Sequence, residues 1–221
     1  MVLTVGLTAI LYHSHKNVLF SINILAQQAA QDYGSRQSKE AVNRILEITS
    51  LSLSKTSEML DTLREVRYQF KRNNLYDAID EALKKVCIPP HIGLLWRYEK
   101  EARNGAVCRF DFYHISKVFV NILNNAVEAI ELVGRERGSI EIYITSQFQW
   151  FIILIKDNGI GFKETRLTKY FSPYHSDKNT THNWGLGLSY VYKVIKAHLG
   201  YVWIESKYGE FTSVHIMLPR A

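Results

Sequence analysis

Asn121-Ile-Leu-Asn-Asn125-Ala-Val-Glu128-Ala is the most informative stretch of this 221-residue chain. On a helix, Asn121, Asn125 and Glu128 are spaced four and three residues apart and therefore share one face. Core packing does not require such a polar set, whereas Mg²⁺ takes hard oxygen ligands and bridges nucleotide phosphates. The stretch predicts a helix that carries a magnesium-nucleotide site, with a solvated surface face as the alternative.

The second motif is Asp157-Asn-Gly159-Ile-Gly161-Phe, which directly follows the apolar strand predicted for residues 150–155. A strand end can present the Asp157 carboxylate inward, where it accepts a hydrogen bond from the exocyclic amine of adenine. Gly159 and Gly161 let the backbone turn without obstruction by a side chain. We therefore expect Asp157, Gly159 and Gly161 to bind the nucleotide.

The third motif is Gly185-Leu186-Gly187-Leu188, which precedes a helix predicted for residues 188–199. The N-terminal amides of a helix suit phosphate groups. Residues 163–183 show little periodicity and predict a long loop that serves as a lid, in which Lys178 is a candidate phosphate contact. Each motif alone is a weak signal, but the three in this order, about 30 residues apart, predict a nucleotide pocket.

The first 75 residues contain no Pro and only two Gly, and they predict two long helices. Heptad spacing places one seam at Leu11, His15, Val18, Ile22, Leu25 and Ala29 and another at Val42, Leu46, Thr49, Leu53, Thr56, Leu60 and Leu63. One hairpin cannot bury both seams, so we expect a dimeric four-helix bundle. Packing of the hairpin on the second half of the chain is the alternative. Ser38 is the predicted N-cap of the second helix.

Helices and strands are mixed in the rest of the chain. A short helix, two short strands and a helix capped by Asp111 precede the strands around the second motif, and a helix and two strands close the chain. The predicted fold class is α+β, with a helical hairpin in residues 1–75 and an α/β sandwich in residues 76–221.

The composition restricts the functional classes. The net charge of +6 and the pI near 9.2 invite a nucleic-acid interpretation, but no run of five basic residues occurs, so we expect no nucleic-acid partner. Cys87 and Cys108 show no metal-ligand spacing, and no apolar run reaches the roughly 18 residues of a membrane span. We expect a cytoplasmic chain, or the cytoplasmic part of a sensor held at a membrane by other segments.

The motifs resemble those of sensor histidine kinases of two-component systems, within the wider Bergerat-fold (GHKL) ATPases. The N, G1, F and G2 boxes of that family are similar to Asn121–Ala129, Asp157–Gly161, Lys169-Tyr-Phe-Ser-Pro-Tyr and Gly185–Leu188. The resemblance covers roughly residues 76–221. It implies a Bergerat-type domain that binds ATP with Mg²⁺, with Asn125 linked to the metal and Asp157 on adenine.

Asn121 separates members of this superfamily. In the ATP-hydrolysing relatives, the residue four positions before the metal-linked Asn is a Glu that activates water. A carboxamide cannot act as a general base near pH 7. The resemblance therefore favours a kinase over a GHKL ATPase.

Residues 12–19 supply a candidate phosphoacceptor, because they resemble the family's H box with His13 in its first position. His15 lies on the predicted seam and His13 on the opposite side, so we assign phosphorylation to His13. Asn17 could orient a water for dephosphorylation of a partner. Ser14 stands where the family usually has an acid, and Val18 replaces a helix-bending Pro.

The sequence thus predicts the core of a sensor histidine kinase, an ATP-dependent protein-histidine kinase. It would form a homodimer, transfer the ATP γ-phosphoryl group to His13, and then pass it to an aspartate in the receiver domain of a response regulator. The alternatives are a weakly active or non-catalytic relay that senses ATP, favoured by Ser14, and a GHKL ATPase, disfavoured by Asn121.

Overall fold

A computed structural model of the chain describes residues 18–29, 36–63, 67–96, 105–163, 170–171 and 187–220. The chain divides into two compact units, Met1–Arg64 and Glu65–Ala221. The sequence places this division after residue 75, but residues 71–74 form a strand that pairs inside the second unit. No helix in the described ranges is long and apolar enough to cross a membrane.

The first unit contains helix α1, residues 18–29, and helix α2, Arg36–Leu63. The prediction that Ser38 caps the second helix is wrong, because α2 begins two residues earlier. Ser38 instead lies inside α2, where its Oγ donates a hydrogen bond to the backbone oxygen of Ala29 at 3.1 Å. The hydroxyl therefore joins the two helices. The predicted acceptor His13 and Asn17 lie outside the described residues.

The two helices differ in how they follow the predicted seams. The seam of α1 is partly buried at Val18, Ile22, Leu25 and Ala29. In α2, Val42 and Leu46 are 45% and 62% exposed, whereas Ser38 and Ala41 are buried. The small side chains of Ser38 and Ala41 allow close approach between helices, so α2 packs through a face one position before its predicted seam.

The second unit is built from three helices and seven strands among its described residues. In chain order they are β1 Lys71–Asn74, α3 Leu75–Leu83, β2 Ile92–Trp96, β3 Val107–Phe110, α4 Phe112–Val133, β4 Gly138–Gln147, β5 Trp150–Asp157, α5 Gly187–Ala197, β6 Tyr201–Lys207 and β7 Phe211–Pro219. The predicted α+β class, with helices packed on a mixed sheet, is confirmed.

The main sheet has the strand order β2-β4-β5-β7-β6. β2 and β4 are parallel, and the other neighbouring strands are antiparallel. Alternate residues of β5, Phe151, Ile153 and Ile155, are buried in the core that the sheet shares with α3, α4 and α5. This alternation places Asp157 at the end of β5 on the buried side, facing the helices.

The sequence does not predict β1, which pairs with β3 in a separate two-stranded sheet. Its residues, Lys-Arg-Asn-Asn, have low strand propensity and no alternation of apolar side chains. Backbone pairing with β3 and one side-chain hydrogen bond stabilise it instead, in which Asn73 Nδ2 donates to the Phe110 oxygen at 2.8 Å. A further bond joins Asn74 Oδ1, the acceptor, to the Tyr76 N–H at 2.9 Å. The second of these bonds caps α3.

Candidate nucleotide-binding site

Helix α4 is the element on which the site is built, and both of its ends are fixed locally. Asp111 caps the start, since its Oδ1 accepts a hydrogen bond from the His114 N–H at 3.0 Å. Gly134 ends the helix in the left-handed conformation, with φ of 64°. These caps set where the helix begins and ends, and the packing of its apolar residues in the core sets the direction of its polar face.

Asn121, Asn125 and Glu128 lie on this face and are each partly exposed, while Ile122 and Ala126 next to them are buried. Asn121 Nδ2 donates a hydrogen bond to the Lys117 backbone oxygen at 3.0 Å. Because the side-chain nitrogen of Asn121 makes this hydrogen bond within α4, the side-chain oxygen of Asn121 points away from that bond. The arrangement leaves a carboxamide oxygen available for a ligand.

The start of α5 lies directly against these carboxamides. A Cβ atom built on Gly187 would be 3.4 Å from Asn121 Oδ1 and 3.8 Å from Asn125 Nδ2. The N-terminal amides of α5 are therefore next to the polar face of α4, where a helix N-terminus favours an anion. Leu188 follows in the first turn of α5, and Lys178, Gly185 and Leu186 lie outside the described residues.

The Asp157 motif meets the same helix further along. Asp157 is 6% exposed, and its Oδ1 accepts a hydrogen bond from the Gly159 N–H at 2.9 Å. A Cβ on Gly159 would lie 2.6 Å from the backbone carbon of Ala129, so only glycine permits this approach. The Ile160 N–H also donates to the Ala129 oxygen at 3.0 Å. The buried carboxylate is thus held next to α4.

Gly161 connects this loop to the far edge of the sheet. Its φ is +68°, and a Cβ there would be 2.5 Å from the Lys207 oxygen. The next residue, Phe162, donates its N–H to Ser206 Oγ at 2.9 Å, and the Gly209 N–H donates to the Ile160 oxygen at 2.6 Å. The loop is therefore held between α4 and the β6–β7 turn.

Thr212 is a polar residue of the site that the sequence motifs do not identify. It is 6% exposed and lies directly opposite Asp157 in the antiparallel pair β5–β7. Directly opposed residues project from the same face of a sheet, so its hydroxyl and the Asp157 carboxylate lie on one side. Thr212 is identified by the pairing register of β5 and β7, which is known only once the two strands are aligned.

The side chains of the site are suited to a metal ion that takes some of its ligands from a nucleotide. Within the part of the chain that the structure describes, no group of three or more His, Cys, Asp or Glu residues could hold a metal ion. The polar face of α4 offers carboxamide oxygens from Asn121 and Asn125, which are hard ligands of the kind Mg²⁺ accepts. Such a site takes its remaining ligands from phosphates and water.

His198, just after the end of α5, joins that end to the start of α4. Its side chain is 3% exposed. Its Nε2 accepts a hydrogen bond from the Asp111 backbone N–H at 3.0 Å, so Nδ1 carries the proton and donates to the Val194 oxygen at 2.8 Å. Burial lowers the pKa of His198. The ring is therefore neutral, and each of its two nitrogens makes one hydrogen bond.

Residues 67–70, which precede β1, pack on this junction. The Gln69 N–H donates to Asp111 Oδ2 at 2.7 Å. The ring centroids of Tyr68 and Phe70 lie 5.2 Å and 4.8 Å from that of His198. Burial, and then the charge of Asp111, raises the pKa of Tyr68. This segment is therefore anchored to the helices that carry the site.

Residues 111–221 match the family of histidine kinase-, DNA gyrase B-, and HSP90-like ATPases. They make up half of the chain and include the helices, strands and loops of the site, and the chain belongs to this family. The resemblance to sensor histidine kinases is confirmed by the proteins to which the chain is similar.

Sporulation kinase E of Bacillus subtilis is 36% identical over 106 residues, which cover 48% of this chain and 14% of that protein. Sensor protein kinase WalK of Staphylococcus epidermidis is 27% identical over 222 residues, covering 94% of this chain and 35% of that protein. The structure of histidine kinase ThkA in complex with response regulator protein TrrA matches with a TM-score of 0.71 at 20% identity, covering 98% of this chain and 61% of that one. The chain thus spans about a third or less of these two curated relatives.

Proposed function

We propose that the second unit binds ATP together with Mg²⁺ along the polar face of α4. The observation that carries this proposal is that both glycine motifs meet this one face. Gly159 contacts Ala129 at one end, and Gly187 lies beside Asn121 and Asn125 nearer the other. Adenine binds at the first end, where the Asp157 carboxylate accepts a hydrogen bond from its exocyclic amine.

The phosphates lie at the second end, against the N-terminal amides of α5. Asn125 ligates Mg²⁺ through its carboxamide oxygen, and Mg²⁺ neutralises part of the phosphate charge. The remaining proposed nucleotide contacts are Asn121, Gly161, Lys178, Gly185, Leu186 and Leu188. Membership in an ATPase family supports ATP as the nucleotide.

The proposed reaction transfers the γ-phosphoryl group of ATP to His13. One ring nitrogen of His13 forms a P–N bond while the bond from the γ-phosphorus to the β–γ bridging oxygen breaks. ADP leaves with that electron pair, and the proton on the other ring nitrogen passes to water. Asn121 cannot act as a base toward water, which supports a protein acceptor. Asn17 then orients a water for dephosphorylation of a partner.

The proposed partners are a second copy of the chain and the receiver domain of a response regulator. Exposed Val42 and Leu46 on α2 support dimerisation, because they follow heptad spacing and lie outside the face that α2 buries within one chain. The likeness to a histidine kinase whose structure includes a response regulator supports the second partner. An aspartate of that domain would accept the phosphoryl group from His13.

Incubation with γ-labelled ATP and Mg²⁺ tests the kinase proposal. We expect labelled protein whose phosphate is lost in acid and retained in base, as a phosphohistidine requires. His13→Gln should abolish the label. The matched control His15→Gln changes a histidine two residues away and should retain it.

Each other outcome favours a different function. Full labelling of His13→Gln together with loss of label in His15→Gln would make the acceptor assignment wrong. ATP binding without labelling would favour the non-catalytic relay, which Ser14 in place of an acid suggests. Steady release of inorganic phosphate without labelled protein would favour the GHKL ATPase.

A further inference from the structure

Lys117 extends the polar face of α4 by one turn beyond Asn121. It precedes Asn121 by four residues and Asn125 by eight, and this spacing puts all three on one side of the helix. Asn121 Nδ2 also bonds to the Lys117 backbone oxygen. A cationic side chain therefore lies at the end of the row of proposed nucleotide contacts.

Helix α5 runs antiparallel to α4 along this row. Its first residue, Gly187, lies beside Asn121, whereas His198, just beyond its last turn, bonds to Asp111 before the start of α4. Tyr190 lies between these ends, and Lys117 Nζ is 5.1 Å from the centre of its ring. The ammonium is thus located where α4 and α5 adjoin, one turn from Gly187.

The rise of an α-helix orders these residues along the nucleotide. The adenine end is at Ala129, which Gly159 contacts. At 1.5 Å per residue, Asn125 is about 6 Å from Ala129 along the helix axis, Asn121 about 12 Å and Lys117 about 18 Å. The γ-phosphate is the group of ATP furthest from adenine. It therefore belongs at the Asn121–Lys117 end of the row.

We propose that Lys117 binds the γ-phosphate of ATP, an inference that rests on the proposed nucleotide site. The alternative role is structural, since an ammonium over a tyrosine ring stabilises the contact between α4 and α5. A charge-assisted hydrogen bond from an ammonium to a phosphate oxygen is stronger than the contact of an ammonium with an exposed tyrosine ring, so the ammonium exchanges the ring for the phosphate when ATP binds. Lys117 then distinguishes ATP from ADP.

Nucleotide affinity of the full chain tests this proposal. Dissociation constants for ATP and ADP with Mg²⁺ are measured by calorimetry for the wild type, Lys117→Met and Lys117→Arg. Lys117→Met should weaken ATP binding about tenfold and change ADP binding less than twofold. Lys117→Arg, which keeps the charge, should restore most of the ATP affinity.

Lys196→Met is the matched control, because Lys196 Nζ also lies over tyrosine rings, 4.6 Å from the centre of Tyr201 and 5.7 Å from that of Tyr192. It should leave both affinities unchanged. Equal weakening of ATP and ADP by Lys117→Met, or no weakening of either, would overturn the γ-phosphate assignment alone. A wild type that binds neither nucleotide would overturn the nucleotide site and this inference together.

Discussion

The backbone N–H of Asp111 donates to Nε2 of His198 at 3.0 Å, and this bond joins the beginning of α4 to the end of α5. The start of α5 adjoins the middle of α4, where Gly187 lies beside Asn121. Asp111 also accepts the Gln69 N–H, so the segment before β1 is attached to the pair of helices that carries the proposed phosphate site. The two functions of Asp111, helix cap and anchor for this segment, depend on one carboxylate.

The protonation state of His198 should make stability depend on pH. Burial lowers its pKa in the folded state, while the unfolded chain has the ordinary value near 6.5. The two states bind protons equally above that value, so the stabilising effect of neutral His198 is fully present there. As the pH falls below about 6.5, the unfolded chain takes up a proton that the folded chain resists, and the free energy of unfolding decreases.

Urea unfolding at pH 7.5 and pH 5.5 measures this effect. In His198→Gln the side-chain oxygen can still accept the Asp111 N–H, but no proton is taken up. The variant should lose about 1 kcal/mol at pH 7.5 and lose less additional stability than the wild type on acidification. An equal loss in both proteins would show that another group causes the pH dependence.

Gly159→Ala should disrupt the adenine end of the site. The new Cβ would be 2.6 Å from the backbone carbon of Ala129, and a helix backbone cannot yield as a flexible side chain does. We expect a loss of about 1–3 kcal/mol in stability and a loss of ATP binding, measured by thermal unfolding and calorimetry.

Gly93→Ala in β2 is the control, because a Cβ there meets its nearest atom, the Gly138 oxygen, at an ordinary 3.7 Å. It should bind ATP like the wild type. If Gly159→Ala also retained wild-type stability and affinity, the close packing of the Asp157 loop on α4 would be wrong.

Asp157→Asn tests which base the site recognises. The carboxylate can only accept hydrogen bonds, which suits the exocyclic amine of adenine and opposes the carbonyl oxygen at the equivalent position of guanine. The substitution keeps the volume of the side chain and adds a donor. ATP affinity should fall about tenfold, and the preference for ATP over GTP should fall with it. A proportional loss of affinity for both nucleotides would mean that Asp157 has only a structural role.

The parts of the molecule that sequence alone could predict are those whose signal is local. Asp111 was predicted to cap the helix that it caps, because capping depends on neighbouring residues. β1 was missed since its pairing with β3 joins residues more than 30 positions apart. The role of Ser38 was misassigned for a similar reason, as its hydroxyl bonds across to Ala29 rather than within its own helix. Thr212 likewise became a site residue only through its register with Asp157.

Leu46→Glu should prevent the proposed dimer. Leu46 is 62% exposed within one chain and lies four residues after Val42, so the two form an apolar strip on the outer side of α2. A second copy that covers this strip would have to bury an unpaired carboxylate in the variant, which costs far more than the lost apolar contact. Light scattering coupled to size-exclusion chromatography should give a dimer for the wild type and a monomer for Leu46→Glu.

Asn43→Glu is the control, because it places the same charge on an exposed neighbouring position, and it should remain dimeric. A monomeric wild type, or a dimer that Leu46→Glu leaves intact, would place the contact between copies elsewhere.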